Sequence, residues 1–236
     1  MKNSNLSIII PILNEERNIL PLTKNLIKNL KKFNYEIIFV DDGSEDDSQS
    51  VLNLLKIKYK FFKPLIRNKN RDLTQSCFDG IQKSKYSNIL IMDGDLQHDP
   101  KYISKMFTAY RDYDYDIVIG ARNLLKGTNP GLSELRRMAS VILISLFSIF
   151  KIKTQDPMSG FFIFKKKIYK DNKSRLFGKG FKILIDFIMN SKNNLKTKDI
   201  FINFKRRHKN QSKMNYKIFM ILIQFYLVCL IKKIFN

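Results

Sequence analysis

Residues 88–98 read Asn88-Ile89-Leu90-Ile91-Met92-Asp93-Gly94-Asp95-Leu96-Gln97-His98: an uncharged apolar run that stops abruptly at two carboxylates spaced i, i+2. A strand buried on both faces reads this way when it delivers acids to the carboxyl edge of a parallel sheet. In extended chain, residues i and i+2 point the same way, so Asp93 and Asp95 can face one hard cation. Gln97 continues that parity and offers a third oxygen, and Gly94 leaves room for close approach of a ligand. So sparse a set suits Mg²⁺ or Mn²⁺, with the remaining positions open to water and substrate phosphates. Taken alone, Asp-Gly-Asp reads as a turn that caps the next helix. The rest of the chain weighs against that.

The same pattern recurs upstream. Residues 6–10 form a short apolar run that ends at Pro11 and opens into Ile12-Leu13-Asn14-Glu15-Glu16, with Asn14 placed to cap a helix. A second run, 35–40, ends at Asp41-Asp42-Gly43-Ser44. Helical periodicity follows each: Leu22, Leu26, Ile27 and Leu30 after the first, residues 48–59 after the second. Residues 61–66 read as a third strand, 73–83 as a helix and 116–120 as a fifth strand. The expected fold is α/β, a doubly wound and mostly parallel sheet. In such sheets ligands bind beyond the carboxyl ends of the strands, where Glu15, Asp41/Asp42 and Asp93/Asp95 collect. No GxGxxG or GxxxxGK[ST] pattern follows any of these strands, which weighs against dinucleotide and P-loop sites. Acids for base, sugar and metal, with cations for phosphate, describe a nucleotide-sugar site.

Downstream lie Gly120-Ala121-Arg122, a loop to Gly131, and Arg136-Arg137 ahead of the uncharged stretch 138–150. Residues 161–164, 180–190 and 198–204 read as strand, helix and strand. A basic loop, 205–213, carries Arg207 and Lys213. The segment 216–235 is apolar and uncharged from 218 to 231. Roughly 14 helical residues reach about 21 Å, short of the roughly 30 Å hydrocarbon core, so a helix lying in the interface is expected rather than a full span. The expected division is a catalytic domain over 1–213 and an apolar C-terminal helix over 214–236.

Lys and Arg number 43 against 21 Asp and Glu, a formal charge of +22. That excess calls for an anionic partner: a membrane face, a phosphate-bearing substrate or nucleic acid. Acids at three strand ends would repel a nucleic-acid backbone, and no aromatics interleave the basic loops, so nucleic acid is not the expected partner. Cys77 and Cys229 lack metal-ligand spacing, and residues 1–5 lack a signal peptide's apolar core. The expected location is the cytoplasmic face of a membrane.

Seven segments in order make the chain resemble the family 2 glycosyltransferases, specifically the polyprenyl (dolichyl) phosphate mannosyltransferases. They are Pro11-Ile12-Leu13-Asn14-Glu15-Glu16, Val40-Asp41-Asp42-Gly43-Ser44, Met92-Asp93-Gly94-Asp95-Leu96-Gln97-His98-Asp99-Pro100, Gly120-Ala121-Arg122, Arg136-Arg137-Met138-Ala139-Ser140, Asp156-Pro157-Met158-Ser159-Gly160-Phe161-Phe162 and Gly180-Phe181-Lys182-Ile183-Leu184. The resemblance implies a GT-A fold and hexose transfer from a nucleotide diphosphate sugar to a polyprenyl phosphate. It places Pro11, Leu13, Glu15, Val40 and Asp42 at the nucleotide, and Asp93, Asp95 and Gln97 on the metal. Arg122, Arg207 and Lys213 fall at the diphosphate or acceptor phosphate. Leu13 departs from the family's usual Tyr, and Asn210 from its usual Gly.

An acceptor phosphate is anionic at neutral pH, so no strong general base is needed. Direct displacement implies inversion at the anomeric carbon. Arg136, Arg137 and Lys213 are candidates for gripping the lipid phosphate. Asp156 reads equally as a loop cap or a substrate contact, and His98 and His208 as non-catalytic. GDP-mannose is the leading donor. The alternatives are a UDP-sugar, glucose-type transferase acting on undecaprenyl phosphate or on a polysaccharide, and a non-enzymatic basic membrane-surface or nucleic-acid binding module.

Overall fold

Continuous apolar runs, buried on both faces, set the architecture. The computed structural model describes residues 5–123, 141, 144–150, 152–205 and 216–234, excepting the side chains of 216–219 and 234. Strands β1 (Asn5–Ile12), β2 (Asn34–Asp41), β3 (Leu65–Ile66), β4 (Asn88–Ile91), β5 (Ile117–Arg122), β6 (Phe162–Lys165) and β7 (Thr197–Ile202) form one sheet of order β3-β2-β1-β4-β6-β5-β7. Along β1, Ile8, Ile10 and Ile12 point into one core with α1 (Glu16–Asn29), α2 (Ser48–Lys58) and α4 (Tyr102–Asp112), while Ile9 points into the other. The second core holds α3 (Leu73–Lys83), α5 (Lys166–Asn172) and α6 (Ile183–Asn190). β1, β2, β4, β5 and β6 thus feed two layers by period-2 geometry alone, while β7 buries one face.

β1 runs parallel to β2 and β4, β2 to β3, and β5 to β7. β6 breaks the pattern: it lies between β4 and β5, antiparallel to both. Its amino end therefore meets the carboxyl ends of β4 and β5, which carries the 156–161 loop to the edge where the acids lie. The expected third strand shrinks to two residues plus one bridge, Ile37 to Phe62. Ile37 N donates to Phe61 O at 2.9 Å and Lys63 N to Ile37 O at 2.8 Å, and then Pro64 has no N–H to continue the ladder.

A third, smaller core sits outside the sheet. Phe225 and Cys229 of α7 (Tyr216–Ile234) pack with Phe147, Met158 and Ile185. Among the described residues no helix is long and apolar enough to cross a membrane.

Candidate functional site

The turn after β1 is stitched to the turn after β2. Pro11 pairs with Val40 and Ile12 with Asp41 in register. Asn14, at φ +53°, donates its N–H to Ser44 Oγ at 2.8 Å, and its Oδ1 accepts from Glu45 N at 2.7 Å. Asn14 therefore ties two loops together instead of capping α1, whose N-cap is Glu15. Glu15 is buried, its N–H donating to Ser48 Oγ at 3.1 Å and its Oε2 accepting from Asn18 at 2.6 Å. Leu13, just before Asn14, is half-buried.

The side chains of two residues expected at the nucleotide, Val40 and Asp42, point into the protein. The Val40 side chain is fully buried beneath α3, because its parity directs it to that face, so only its backbone reaches the edge. Asp42 spends both oxygens inside the protein: Oδ1 pairs with Arg67 Nη1 and Oδ2 accepts from Asp72 N at 2.7 Å. Arg67 is itself buried and also bonds Asp79 at 2.8 Å and Ser76 at 3.1 Å. Asp42 thus anchors the basic strand-three loop. Its neighbour Asp41 is fully buried, with Oδ1 accepting from Ser44, while its Oδ2 has no hydrogen-bond partner among the described residues.

Beyond β4 the acidic loop folds tightly. Leu96 adopts φ +66°, Asp95 is buried, and its Oδ1 accepts from Gln97 N at 3.1 Å. The Asp93 side chain is 36% exposed. Gln97 is buried and clamps the far end of the chain: its Nε2 donates to Lys205 O at 3.0 Å, and Lys205 N donates to Gln97 O at 3.1 Å. The basic loop expected over 205–213 therefore starts at the acidic loop. Gly94 does not open space for a ligand on its Cβ side, since a Cβ there would lie 2.6 Å from Ile12 Cγ2. The glycine set against the acidic loop is Gly160, where a Cβ would fall 2.7 Å from Asp93 Oδ1.

Arg122 is held by Asp156, with Nε to Oδ2 and Nη2 to Oδ1 both at 2.7 Å and the Arg122 N–H to Oδ2 at 3.0 Å. Asp156 is fully buried. Burial opposes the Arg122 charge, but the hydrogen bonds and charge of Asp156, with Asp93 further off, hold its pKa above the ordinary arginine value. Phe204 lies under the guanidinium at 5.5 Å.

Sequence reasoning set His98 aside, and the structure places it directly beneath the loop. His98 is buried, stacks on Phe161 at 5.1 Å and accepts the Asp93 N–H at Nδ1, 3.3 Å away. Its position in the motif was visible, but its contact with Phe161 depends on β6 lying beside β4. Arg136, Arg137, Arg207 and Lys213 lie outside the described residues.

The donors fit a hard divalent cation, since Asp93, Asp95 and Gln97 offer only oxygens. Among the described residues no group of three or more His, Cys, Asp and Glu side chains gathers for a metal.

An edge-of-sheet acidic loop facing an Arg–Asp pair in an α/β domain defines a class. The Glycosyl transferase family 2 model matches residues 7–172, and the chain belongs to that family of glycosyltransferases. It is 32% identical over 214 residues to the dolichol-phosphate mannosyltransferase of Pyrococcus furiosus, spanning 89% of this chain and 59% of that protein, less than two thirds of its length. The dolichol-phosphate mannosyltransferase of Saccharomyces cerevisiae is 31% identical over 189 residues, 77% of this chain and 69% of that one. The fold also matches glucosyl-3-phosphoglycerate synthase from Mycobacterium tuberculosis in complex with phosphoglyceric acid, with a TM-score of 0.72 at 14% identity over 95% of this chain and 79% of that one. The sheet is thus GT-A-like.

Proposed function

We propose that this glycosyltransferase moves a hexose, with mannose from GDP-mannose as the leading donor, onto the phosphate of a polyprenyl phosphate, with inversion and with Mg²⁺ or Mn²⁺. The observation that carries this is the match to dolichol-phosphate mannosyltransferases over 89% of the chain. The site chemistry supports it. Asp93, Asp95 and Gln97 would hold the metal, which when bound supplies positive charge to the departing diphosphate. An acceptor phosphate oxygen forms the bond to the anomeric carbon as the bond from that carbon to the diphosphate oxygen breaks. Asp156, fully buried and doubly hydrogen-bonded to Arg122, is poorly placed to take a proton. An acceptor that is already ionised needs none taken. Arg122 offers charge to the leaving group, and Arg136, Arg137, Arg207 and Lys213 are assigned to the phosphates by resemblance. Pro11, Leu13 and Glu15 are assigned to the nucleotide.

We assign the acceptor side to a membrane surface. Met220, Ile223, Leu227 and Ile231 of α7 are exposed along one stripe, opposite Phe225 and Cys229, which are buried against the protein. Leu146 and Ile149 of the adjacent segment are exposed too, and Lys232 and Lys233 close the helix. Apolar stripe and lysines together suit the interface of an anionic bilayer. The test is incubation with Mg²⁺ or Mn²⁺, polyprenyl phosphate and a panel of GDP- and UDP-sugars, with glycolipid detected by mass. GDP-mannose should give mannosyl lipid. Product from a UDP-sugar alone would reassign the donor, and no glycolipid from any donor would refute the acceptor.

A further inference from the structure

Asp199 sits in the middle of β7, the last strand of the sheet, in register with Ile119 of β5. Aspartate is depleted in strands. This one is half-buried and gives both oxygens to a single loop: Oδ1 accepts from Thr154 Oγ1 at 2.7 Å and Oδ2 from Gln155 N at 2.8 Å. Burial raises its pKa above the ordinary aspartate value in spite of both hydrogen bonds, so the fold keeps a carboxylate where its charge is disfavoured.

Thr154 passes the hold inward. Its side chain is buried, and its hydroxyl has one proton to give. With that proton on Asp199, a lone pair is left for the Asp156 N–H, which donates to Thr154 Oγ1 at 3.2 Å. The Asp156 carboxylate takes Nε and Nη2 of Arg122, both at 2.7 Å. An unbroken run of hydrogen bonds thus joins the outer strand to the guanidinium, through Asp199, Thr154 and Asp156. Ser159 fastens the far side of the same loop, its N–H donating to Asp156 O at 3.1 Å and its Oγ to Gly120 O at 2.8 Å. β7 acts on Arg122 a second time, since Phe204, two residues past its end, lies 5.5 Å from the guanidinium.

We propose that Thr154 and Asp199 are positioning residues of the transferase site, fixing the Asp156 carboxylate and through it the Arg122 guanidinium that faces the leaving diphosphate. The proposal rests on the transferase reading above. Arg122 is the group assigned to phosphate there, and the printed partners of Thr154 and Asp199 lie in the 154–156 loop. An aspartate set against strand propensity and burial is the kind of local conflict that function explains better than stability. What it secures is the aim of a charge-stabilising group, and a displacement of about 1 Å there costs on the order of 100-fold in rate.

Full-length Thr154→Val, Thr154→Ser and Asp199→Asn chains test it. Thr154→Val keeps the shape and removes the hydroxyl. It should lose about 10- to 100-fold in kcat for glycolipid formation while donor and acceptor KM change far less, as for an interaction made in the transition state. Thr154→Ser should recover most of that loss. Asp199→Asn retains one acceptor and turns an NH2 group toward a donor, so its kcat should fall between wild type and Thr154→Val. It lies on the outer strand, and it carries the same test should Thr154→Val fail to fold.

A second readout needs no turnover. The Arg122 Nε–H, assigned by NMR with Arg122→Lys, should exchange slowly with water in the wild type. In Thr154→Val it should exchange about tenfold faster, the equivalent of one hydrogen bond, and in Thr154→Ser near the wild-type rate. Unchanged exchange in Thr154→Val and Asp199→Asn, or equal loss of kcat in Thr154→Val and Thr154→Ser, would overturn the proposal. If the wild type makes no glycolipid while Thr154→Val speeds Arg122 exchange, the transferase reading fails and the positioning of Arg122 stands. If glycolipid forms and neither kcat nor exchange responds to Thr154→Val, the positioning role fails and the transferase reading stands.

Discussion

Asp95 and Asp156 are both buried carboxylates of the same site edge, and they should respond to substitution in opposite ways. Asp156 is the sole hydrogen-bonded counter-charge of Arg122 among the described residues, and the Arg122 side chain is only 12% exposed. Asp156→Ala leaves that guanidinium buried and unpaired, which costs about 3–5 kcal/mol. Urea unfolding should show a midpoint shifted down accordingly; an unchanged midpoint would mean that Arg122 reaches water. Asp95→Asn keeps an acceptor for Gln97 N and removes only the charge. Its melting temperature should hold, while metal-dependent transfer falls by about 100-fold or more, as for loss of one charge-stabilising group. Near-normal turnover would remove Asp95 from the metal. The two acids differ in how legible they were. Asp93 and Asp95 stand out in the sequence because an uncharged strand ends on them. Asp156 meets Arg122 across 34 positions, and local pattern carries no information about a partner so distant. The same holds for Val40 and Asp42, whose motif membership was plain while the directions of their side chains were set by α3 and Arg67.

At the level of elements, the apolar runs located the strands, because burial on two faces, or on one face for β7, leaves a recognisable mark. The order of the strands was harder to see. The runs at 161–164 and 116–120 look alike, and only pairing reveals that β6 lies antiparallel between β4 and β5. That reversal brings Gly160 against Asp93. The C-terminal helix α7 was legible as apolar, but its two faces were not, since both are apolar. One packs Phe225 and Cys229 against Phe147, and the other leaves Leu227 51% and Ile231 55% exposed. Leu227→Glu with Ile231→Glu alters only the second face. The pair should abolish cosedimentation with anionic vesicles while leaving nucleotide affinity and melting temperature in place. Retained vesicle binding would assign the membrane contact to another surface, and loss of folding would mean that this face packs against protein.

Over the whole molecule, a charge of +22 surrounds an edge where strand ends present carboxylates. Basic surface would draw the proposed anionic donor and anionic membrane toward the protein. The acids at the edge would repel both unless a divalent cation intervenes. That requirement is the centre of the account, and calorimetry on the full chain reaches it most directly: GDP and UDP titrated with Mg²⁺ or Mn²⁺ and again with chelator. Binding of at least one nucleotide should tighten by about tenfold or more with metal, a coupling of about 1.4 kcal/mol. Affinity for both that is absent, or identical with metal and chelator, would contradict it.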